Sequence, residues 1–272
     1  MSSPMPPDVS PVRSRLRGNR WLAIGLGAVV VALLVAGAAG FSYLFLRPAA
    51  PAAVGLASTA PSAAASAGAT TSASPSAGSG ASQGTVPGGL DGTWNVDPSI
   101  GSFSDFSGSF VGYRVEEELA NVGAATAVGR TPNVSGSLTL SGTTITAVDI
   151  SADLSTLQSD KSQRDGQLRR QALETDRFPT ATFSLTQPID LGSVPAEGQV
   201  LQATATGDLT IHGVTKSVAI PIEAKLSGDV VTVTGSTDIV SADYGISRPT
   251  SFAVLTIADH GTMELQLQFT KA

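Results

Sequence analysis

Apolar and polar residues alternate one by one, in repeated stretches, between residues 111 and 269 of the sequence. This period of two is typical of β-strands that bury one face, because successive side chains of a strand point to opposite sides. Gly, Asp, Asn or Ser separates many of the stretches, as hairpins between antiparallel strands require. The alternating stretches are 111–115, 134–140, 148–154, 181–185, 201–211, 218–226, 231–233 and 263–269.

Two regions interrupt this alternation. In residues 159–179, Leu168, Ala172 and Leu173 lie at helical spacing, and Pro179 should end that helix before Phe178. Residues 241–261 are mixed and predict a loop with a short strand. The pattern therefore predicts an all-β fold, an antiparallel barrel of about eight strands with one helical excursion. A two-sheet sandwich gives nearly the same sequence pattern and stays an alternative.

The N-terminal part of the chain has a different composition. No charged residue occurs from Pro48 to Gly89, where Ala, Ser, Gly, Pro and Thr supply nearly every position. Such a segment cannot bury enough apolar surface to offset the entropy of ordering it. We expect a disordered linker at 47–89, followed by a single barrel domain at 90–272.

An uncharged apolar run of 26 residues covers Trp21 to Leu46. It is long enough for a transmembrane helix, which needs about 20 such residues. Four arginines precede the run and only Arg47 follows it closely, which predicts a cytoplasmic basic tail at 1–20 and an extracytoplasmic domain. The expected location is the plasma membrane, with a single pass at 21–46. The alternative is a secreted domain released by cleavage of a signal peptide.

Charge and composition exclude several kinds of partner and site. Residues 1–89 carry a net charge of +4, whereas the 11 basic and 21 acidic residues after them give −10. An acidic domain is a poor match for nucleic acid, whose binding depends on phosphate neutralisation. The chain has no cysteine and only two histidines, so thiolate chemistry is impossible and no metal or cofactor is expected.

His212 is the most plausible catalytic residue by type, but its sequence context favours a structural role. Leu209 and Ile211 precede it on one strand face, and Val218 and Ile220 resume that face after "HGVT". Gly213 can adopt the positive φ of a hairpin turn. Residues 90–272 contain neither a G-x-S-x-G motif nor a Gly-rich phosphate loop. We therefore predict a turn residue, and a hydrolase that uses His212 is the weaker alternative.

Three stretches in order resemble the YceI-like family of polyisoprenoid-binding proteins. They are "RDGQLRRQALETDRFPTATFSL", "GDLTIHGVTKSV" and "SADYGIS", which together span Arg164 to Ser247. The resemblance implies a lipocalin-like barrel, often dimeric, so a homodimer is an expectation. It also implies an interior that holds an isoprenoid or another long-chain lipid, without catalysis. The chain lacks the His-Ser start that the family's early strand would have.

The lipid-binding hypothesis assigns a set of bulky apolar residues near the helical excursion to the lining of the ligand site. An envelope module with a packed barrel interior, which acts through its surface, remains the alternative. The residues predicted to line the site are Phe110, Leu168, Leu173, Phe178, Phe183 and Phe252.

Overall fold

The computed structural model describes residues 50–56, 89–120, 123–249 and 254–272. The predicted basic tail and transmembrane segment, and most of the predicted linker, lie outside these ranges. Within the ranges that the structure describes, no helix is both long enough and apolar enough to cross a membrane. The strands are β1 Gly92–Val96, β2 Phe110–Leu119, β3 Gly123–Thr131, β4 Val134–Ser141, β5 Thr144–Asp153, β6 Gln158–Ser159, β7 Thr180–Leu185, β8 Ile189–Asp190, β9 Val200–Ile211, β10 Val214–Ser227, β11 Val230–Val240, β12 Val254–Ile257 and β13 His260–Lys271.

Eight of the described strands close into an antiparallel barrel in the order β1-β4-β5-β7-β9-β10-β11-β13. The ring closes where β13 pairs with β1, with Val96 opposite Phe269. On its other edge β1 pairs with β4, with Trp94 opposite Leu138. Closure removes the exposed strand edges that an open sheet would leave. The predicted all-β barrel is confirmed, and the sandwich alternative is wrong because β1 joins the two ends of the sheet.

A second group of strands branches from the barrel at β13. Residues 262–266 of β13 pair with β2, so that Gln266 lies opposite Phe110 and Thr262 opposite Arg114. The sheet continues from β2 to β3 and then to the short strand β6, and β12 pairs with the far part of β2. This branch places the outward-facing side chains of β2, β3 and β13 next to one another.

The β9–β10 hairpin turns at His212 and Gly213. Ile211 pairs directly with Val214, and the two residues between them have φ values of 52° and 75°. Two consecutive residues with positive φ are typical of the type I′ turn, whose twist matches the twist of the flanking strands. The predicted turn is confirmed, and it needs only two residues rather than the four of "HGVT".

The helical excursion between β6 and β7 is shorter than its spacing predicts. Helix α1 covers Ser162–Gln167 and continues as one wider turn, a π-turn, over Leu168–Ala172. Ala172 and Leu173 are buried beneath this turn, and Glu174 has a positive φ of 44°. The helical path therefore ends before Glu174, well ahead of Pro179.

Residues 50–56 of the predicted linker pack on the barrel. Leu56 is 6% exposed, and its backbone N–H donates to Oε2 of Glu223 on β10 at 2.9 Å. The carbonyl oxygens of Pro51 and Ala52 accept from the guanidinium groups of Arg114 and Arg130. These contacts make this part of the predicted linker a component of the folded unit, which begins at Ala50.

Candidate functional site

The barrel interior is apolar because alternate residues of every barrel strand point into it. Leu209 on β9, Ile220 on β10 and Leu267 on β13 are almost completely buried there. The outward positions between them are mostly polar, for example Asp208 and Gln266. The alternation that forms the barrel thus also produces a lining of hydrocarbon side chains.

Two cavities lie within this interior. The first, here called the central cavity, has a volume of about 100 Å³. The second, the end cavity, has a volume of about 80 Å³ and lies towards the β10–β11 hairpin. Both are lined by Leu138, Ile145, Ile222 and Val233, so the two cavities adjoin along the barrel axis.

The volume of these cavities limits what can occupy them without movement of the lining. An apolar protein cavity of about 150 Å³ accommodates benzene. The central cavity is smaller than that, so a long hydrocarbon chain can enter only if lining side chains change rotamer. Phe183, Met263 and Phe269 are the largest side chains on the cavity wall for which such a change could make room.

One end of the barrel, here called the helical end, is closed by a packed apolar cluster. Leu154, Leu157 and Leu173 form its buried centre. Partly buried side chains surround them, and Ala181 among these also lines the central cavity. The helical excursion therefore covers this end of the interior. The surrounding residues are Tyr113, Leu168, Ala181, Ile211 and Ile246.

The opposite end, here called the loop end, lies beneath the loop of residues 191–199 between β8 and β9. Leu191 and Pro195 of this loop line the end cavity, together with Leu201 at the start of β9. Val194 in the same loop is 62% exposed. The loop is tied to the β10–β11 hairpin, since Gly228 N–H donates to Glu197 Oε1 at 2.8 Å. The loop end thus carries an exposed apolar side chain directly before Pro195, which lines the end cavity.

The predicted lining residues occupy different places in the structure. Phe183 lies on the wall of the central cavity. Leu168 and Leu173 belong to the cluster at the helical end, which adjoins that cavity through Ala181.

The remaining predicted lining residues lie elsewhere. Phe178 packs edge-on against the His212 ring, with 4.5 Å between the ring centroids. Phe110 is buried on the outer face of β2, where the Arg130 guanidinium lies 4.3 Å from its ring centroid. Phe252 lies outside the described residues. Sequence reasoning missed most of the residues that line the cavities, because it weighted bulky aromatic residues rather than the inward positions of each strand.

The surroundings of His212 are those of a turn residue. Its Nδ1 lies 3.1 Å from the carbonyl oxygen of Tyr244. Its Nε2 is buried 3.8 Å from Glu174 and has no hydrogen bond to any residue that the structure describes. No serine or threonine hydroxyl within the described ranges is hydrogen-bonded to its ring. Those ranges also contain no group of three or more His, Cys, Asp or Glu residues placed to hold a metal ion.

Tyr113 carries a buried hydroxyl that has no hydrogen-bond partner among the described residues. It points inward from β2, and its ring lies directly over Gly129, where a Cβ atom would come within 2.4 Å of the ring. Burial raises the pKa of this phenol well above its ordinary value, while the nearby Arg164 opposes the shift. The tyrosine is therefore held neutral by its surroundings.

A buried ionic cluster lies on the outer face of the barrel, on the other side of the wall from the cavities. Arg130 Nη2 lies 2.6 Å from Glu264 Oε1, and Arg114 Nε donates to Glu264 Oε2 at 3.0 Å. Loss of solvent lowers the pKa of Arg130, and the Glu264 carboxylate opposes that shift. We call Arg114, Arg130 and Glu264 the outer ionic cluster. Nothing in the local sequence pattern distinguishes these three residues from solvated charges.

A closed antiparallel barrel of eight described strands with adjoining apolar cavities defines a lipocalin-like barrel. The family model described as the YceI-like domain matches residues 94–269. The chain belongs to the YceI-like domain family, as its sequence motifs predict.

Individual relatives agree with this assignment. A UPF0312 protein of Shewanella sp. (strain ANA-3) is 30% identical over 138 residues, which cover 47% of this chain and 69% of that relative. A UPF0312 protein of Vibrio parahaemolyticus is 28% identical over 131 residues, 46% of this chain and 62% of the relative. That second match spans less than two thirds of the relative's length.

A solved structure shows the same fold. The polyisoprenoid binding domain from Saccharophagus degradans, implicated in plant cell wall breakdown, superposes with a TM-score of 0.51. The match covers 66% of this chain and 98% of that domain at 19% identity. At this identity the likeness establishes the fold alone.

Proposed function

We propose that the chain is a membrane-anchored extracytoplasmic protein that holds the hydrocarbon chain of an isoprenoid or similar lipid in its barrel, without catalysis. The observation that carries this proposal is the pair of adjoining apolar cavities along the barrel axis. The Saccharophagus degradans domain of the same fold is a polyisoprenoid binding domain, which supports the same class of ligand.

The energetics favour a chain-like ligand over a polar one. Burial of hydrocarbon contributes about 0.8 kcal/mol per CH₂ group. A polar group placed among the side chains of the central cavity would lose its bonds to water and find hydrocarbon instead. The ligand's polar end should therefore stay outside the barrel wall while the chain occupies the interior.

The loop end is the proposed entrance for the lipid. Its loop residues line the end cavity, whereas the helical end is filled by the buried leucine cluster. The exposed Val194 beside this cavity gives the entrance an apolar rim on which a lipid chain can first bind.

Extraction of the purified full-length chain with denaturing organic solvent, followed by mass spectrometry, tests the ligand. We expect a co-purified lipid with a long hydrocarbon chain, or stoichiometric binding of an added polyprenol. If the extract holds no such lipid and added polyprenol does not bind, the proposed function is wrong.

Single cysteines test the anchor and its orientation, because the natural chain contains none. Ser193→Cys places a thiol on the exposed loop of the barrel, and the matched Ser14→Cys places one before the apolar run. In intact cells, a membrane-impermeant maleimide should label the first variant, in the membrane fraction, and not the second. Labelling of the second variant alone would contradict the orientation, and recovery of the first in the medium would indicate cleavage.

A further inference from the structure

The outer face of the barrel carries a built contact surface for residues 50–56. Its polar part consists of Arg114 on β2, Arg130 on β3 and Glu223 on β10. Its apolar part includes Pro221 and Gly235, which line a cleft beside Val54 and Gly55. The surface therefore extends across several strands on the outer face of the barrel.

The charges of the outer ionic cluster explain why this surface attracts a backbone segment. Two arginines share one carboxylate, and both oxygens of Glu264 are already occupied. Each arginine directs a remaining N–H group at a carbonyl oxygen, that of Pro51 for Arg114 and that of Ala52 for Arg130. The strap's carbonyl oxygens thus accept from one further donor of each guanidinium group, which the single carboxylate leaves free.

The other end of the segment is held by complementary contacts. Glu223 accepts the Leu56 N–H at 2.9 Å, and the Leu56 side chain is 6% exposed. Thr234, opposite Glu223 on β11, is 2% exposed although its side chain faces outward. Arginine donors therefore meet backbone acceptors at one end, and a carboxylate acceptor meets a backbone donor at the other, which defines the direction of the segment.

We propose that residues 50–56 form a strap, bound by this surface within the same chain, and that the strap sets the length of the tether between membrane and barrel. The tether part rests on the proposed membrane anchor. With the strap bound, Leu46 at the end of the apolar run is four residues from Ala50, at most about 14 Å along the chain. When the strap is released, residues 47–88 all become tether, with a span of roughly 35 Å.

Binding within one chain is favoured over exchange between two chains. Residues 57–88 join the strap to Gly89 within one chain, and a covalent connection of this length gives the strap an effective concentration near the millimolar range. A strap from a second copy would have to compete with that concentration.

Hydrogen–deuterium exchange of the full-length chain in nanodiscs tests the strap. We expect the Leu56 amide, which is hydrogen-bonded to Glu223, to exchange about tenfold or more slowly relative to an unstructured peptide. Leu56→Ser should return the amide at position 56 to the unstructured rate, whereas Ala53→Ser, at an exposed strap position, should leave its protection unchanged. Exchange at the unstructured rate in the natural chain would overturn the proposal. Protection that occurs only in a dimer and disappears on dilution would also overturn it, because the strap would then bind a second chain.

Energy transfer from a dye at Asp229→Cys, on the exposed β10–β11 turn, to labelled lipids tests the tether in the same nanodiscs. Adding Leu56→Ser should lower the transfer efficiency, and adding Ala53→Ser should not. Equal efficiencies in both double variants would overturn the tether role. Absence of energy transfer in both double variants would contradict the proposed membrane anchor. The hydrogen–deuterium exchange of the strap and the lipid extraction test the strap and the ligand independently of that anchor.

Discussion

Arg130 and Glu264 form an ion pair in which the guanidinium is 3% and the carboxylate 1% exposed, with 2.6 Å between Nη2 and Oε1. The pair lies between the strap and the barrel wall, and the ring of Phe106 covers the guanidinium at 4.4 Å. Opposite charges buried at this depth are stable only as a complete set, because each alone would lose its hydration without compensation. The part of the outer face that carries this pair is therefore buried rather than solvated.

Glu264→Gln should lower the free energy of unfolding by about 3 to 5 kcal/mol, since two arginines then remain buried without a counter-charge. Urea unfolding of the full-length chain, followed by circular dichroism, measures the change. Glu118→Gln is the matched control, because Glu118 is exposed on β2 and its replacement should stay within about 0.5 kcal/mol. Equal effects of the two substitutions would contradict the account of the ionic cluster.

Gly213→Ala should destabilise the barrel more than Gly228→Ala, although both glycines lie in hairpin turns with positive φ. A Cβ at either site costs about 1 to 2 kcal/mol in this conformation. At Gly213 it would also come within 2.7 Å of the Phe178 ring, whereas at Gly228 nothing lies within 4 Å. We expect an additional loss of about 1 to 3 kcal/mol at Gly213 in thermal unfolding. Equal losses of stability at the two sites would show that the Phe178 ring moves aside without a free-energy cost, and would contradict the prediction.

Tyr113→Phe should raise the free energy of unfolding by about 1 kcal/mol at neutral pH, because the buried hydroxyl has no hydrogen-bond partner within the described part of the chain. The pKa of this phenol is higher in the folded state than in the unfolded state. The unfolded chain therefore releases the proton first, and the free energy of unfolding of the natural chain falls as pH rises from the unfolded pKa to the folded pKa. Above about pH 10, where an unfolded tyrosine ionises, the advantage of the variant should grow. Urea unfolding at pH 7 and pH 10.5 measures both effects, and a less stable variant at pH 7 would indicate a missing partner for the hydroxyl.

The sequence predicts the barrel well and its surface poorly, for physical reasons. Alternation is local, so Leu209 and Ile220 can be placed inward from their neighbours alone, and Gly213 likewise indicates the turn. The Arg130–Glu264 pair joins residues far apart in the chain, and an outward charged position in a strand normally contacts water. Its burial follows from the pairing of β2 and β3 beside β13 and from the strap and Phe106, which cover it.

Leu56 illustrates a second limit on prediction from sequence. Its surroundings in the chain are small uncharged residues, which favour disorder because they offer little surface to bury. The strap is ordered by backbone hydrogen bonds to Arg114, Arg130 and Glu223, and such bonds are not visible in the strap's own composition. For the cavities, the sequence indicates an apolar interior, whereas their volume depends on how the side chains pack.

The central claim, that the barrel interior binds a lipid chain, is tested most directly by filling the central cavity. Ala205 on β9 lines this cavity, so Ala205→Phe should lower polyprenol binding at least about tenfold while circular dichroism shows an intact barrel. The control Ala124→Phe adds the same ring at an exposed position on β3 and should leave binding unchanged. Titration of the full-length variants with a fluorescent polyprenol gives the predicted loss for Ala205→Phe alone. Undiminished binding by a folded Ala205→Phe chain would show that the lipid lies outside the barrel and would contradict the account.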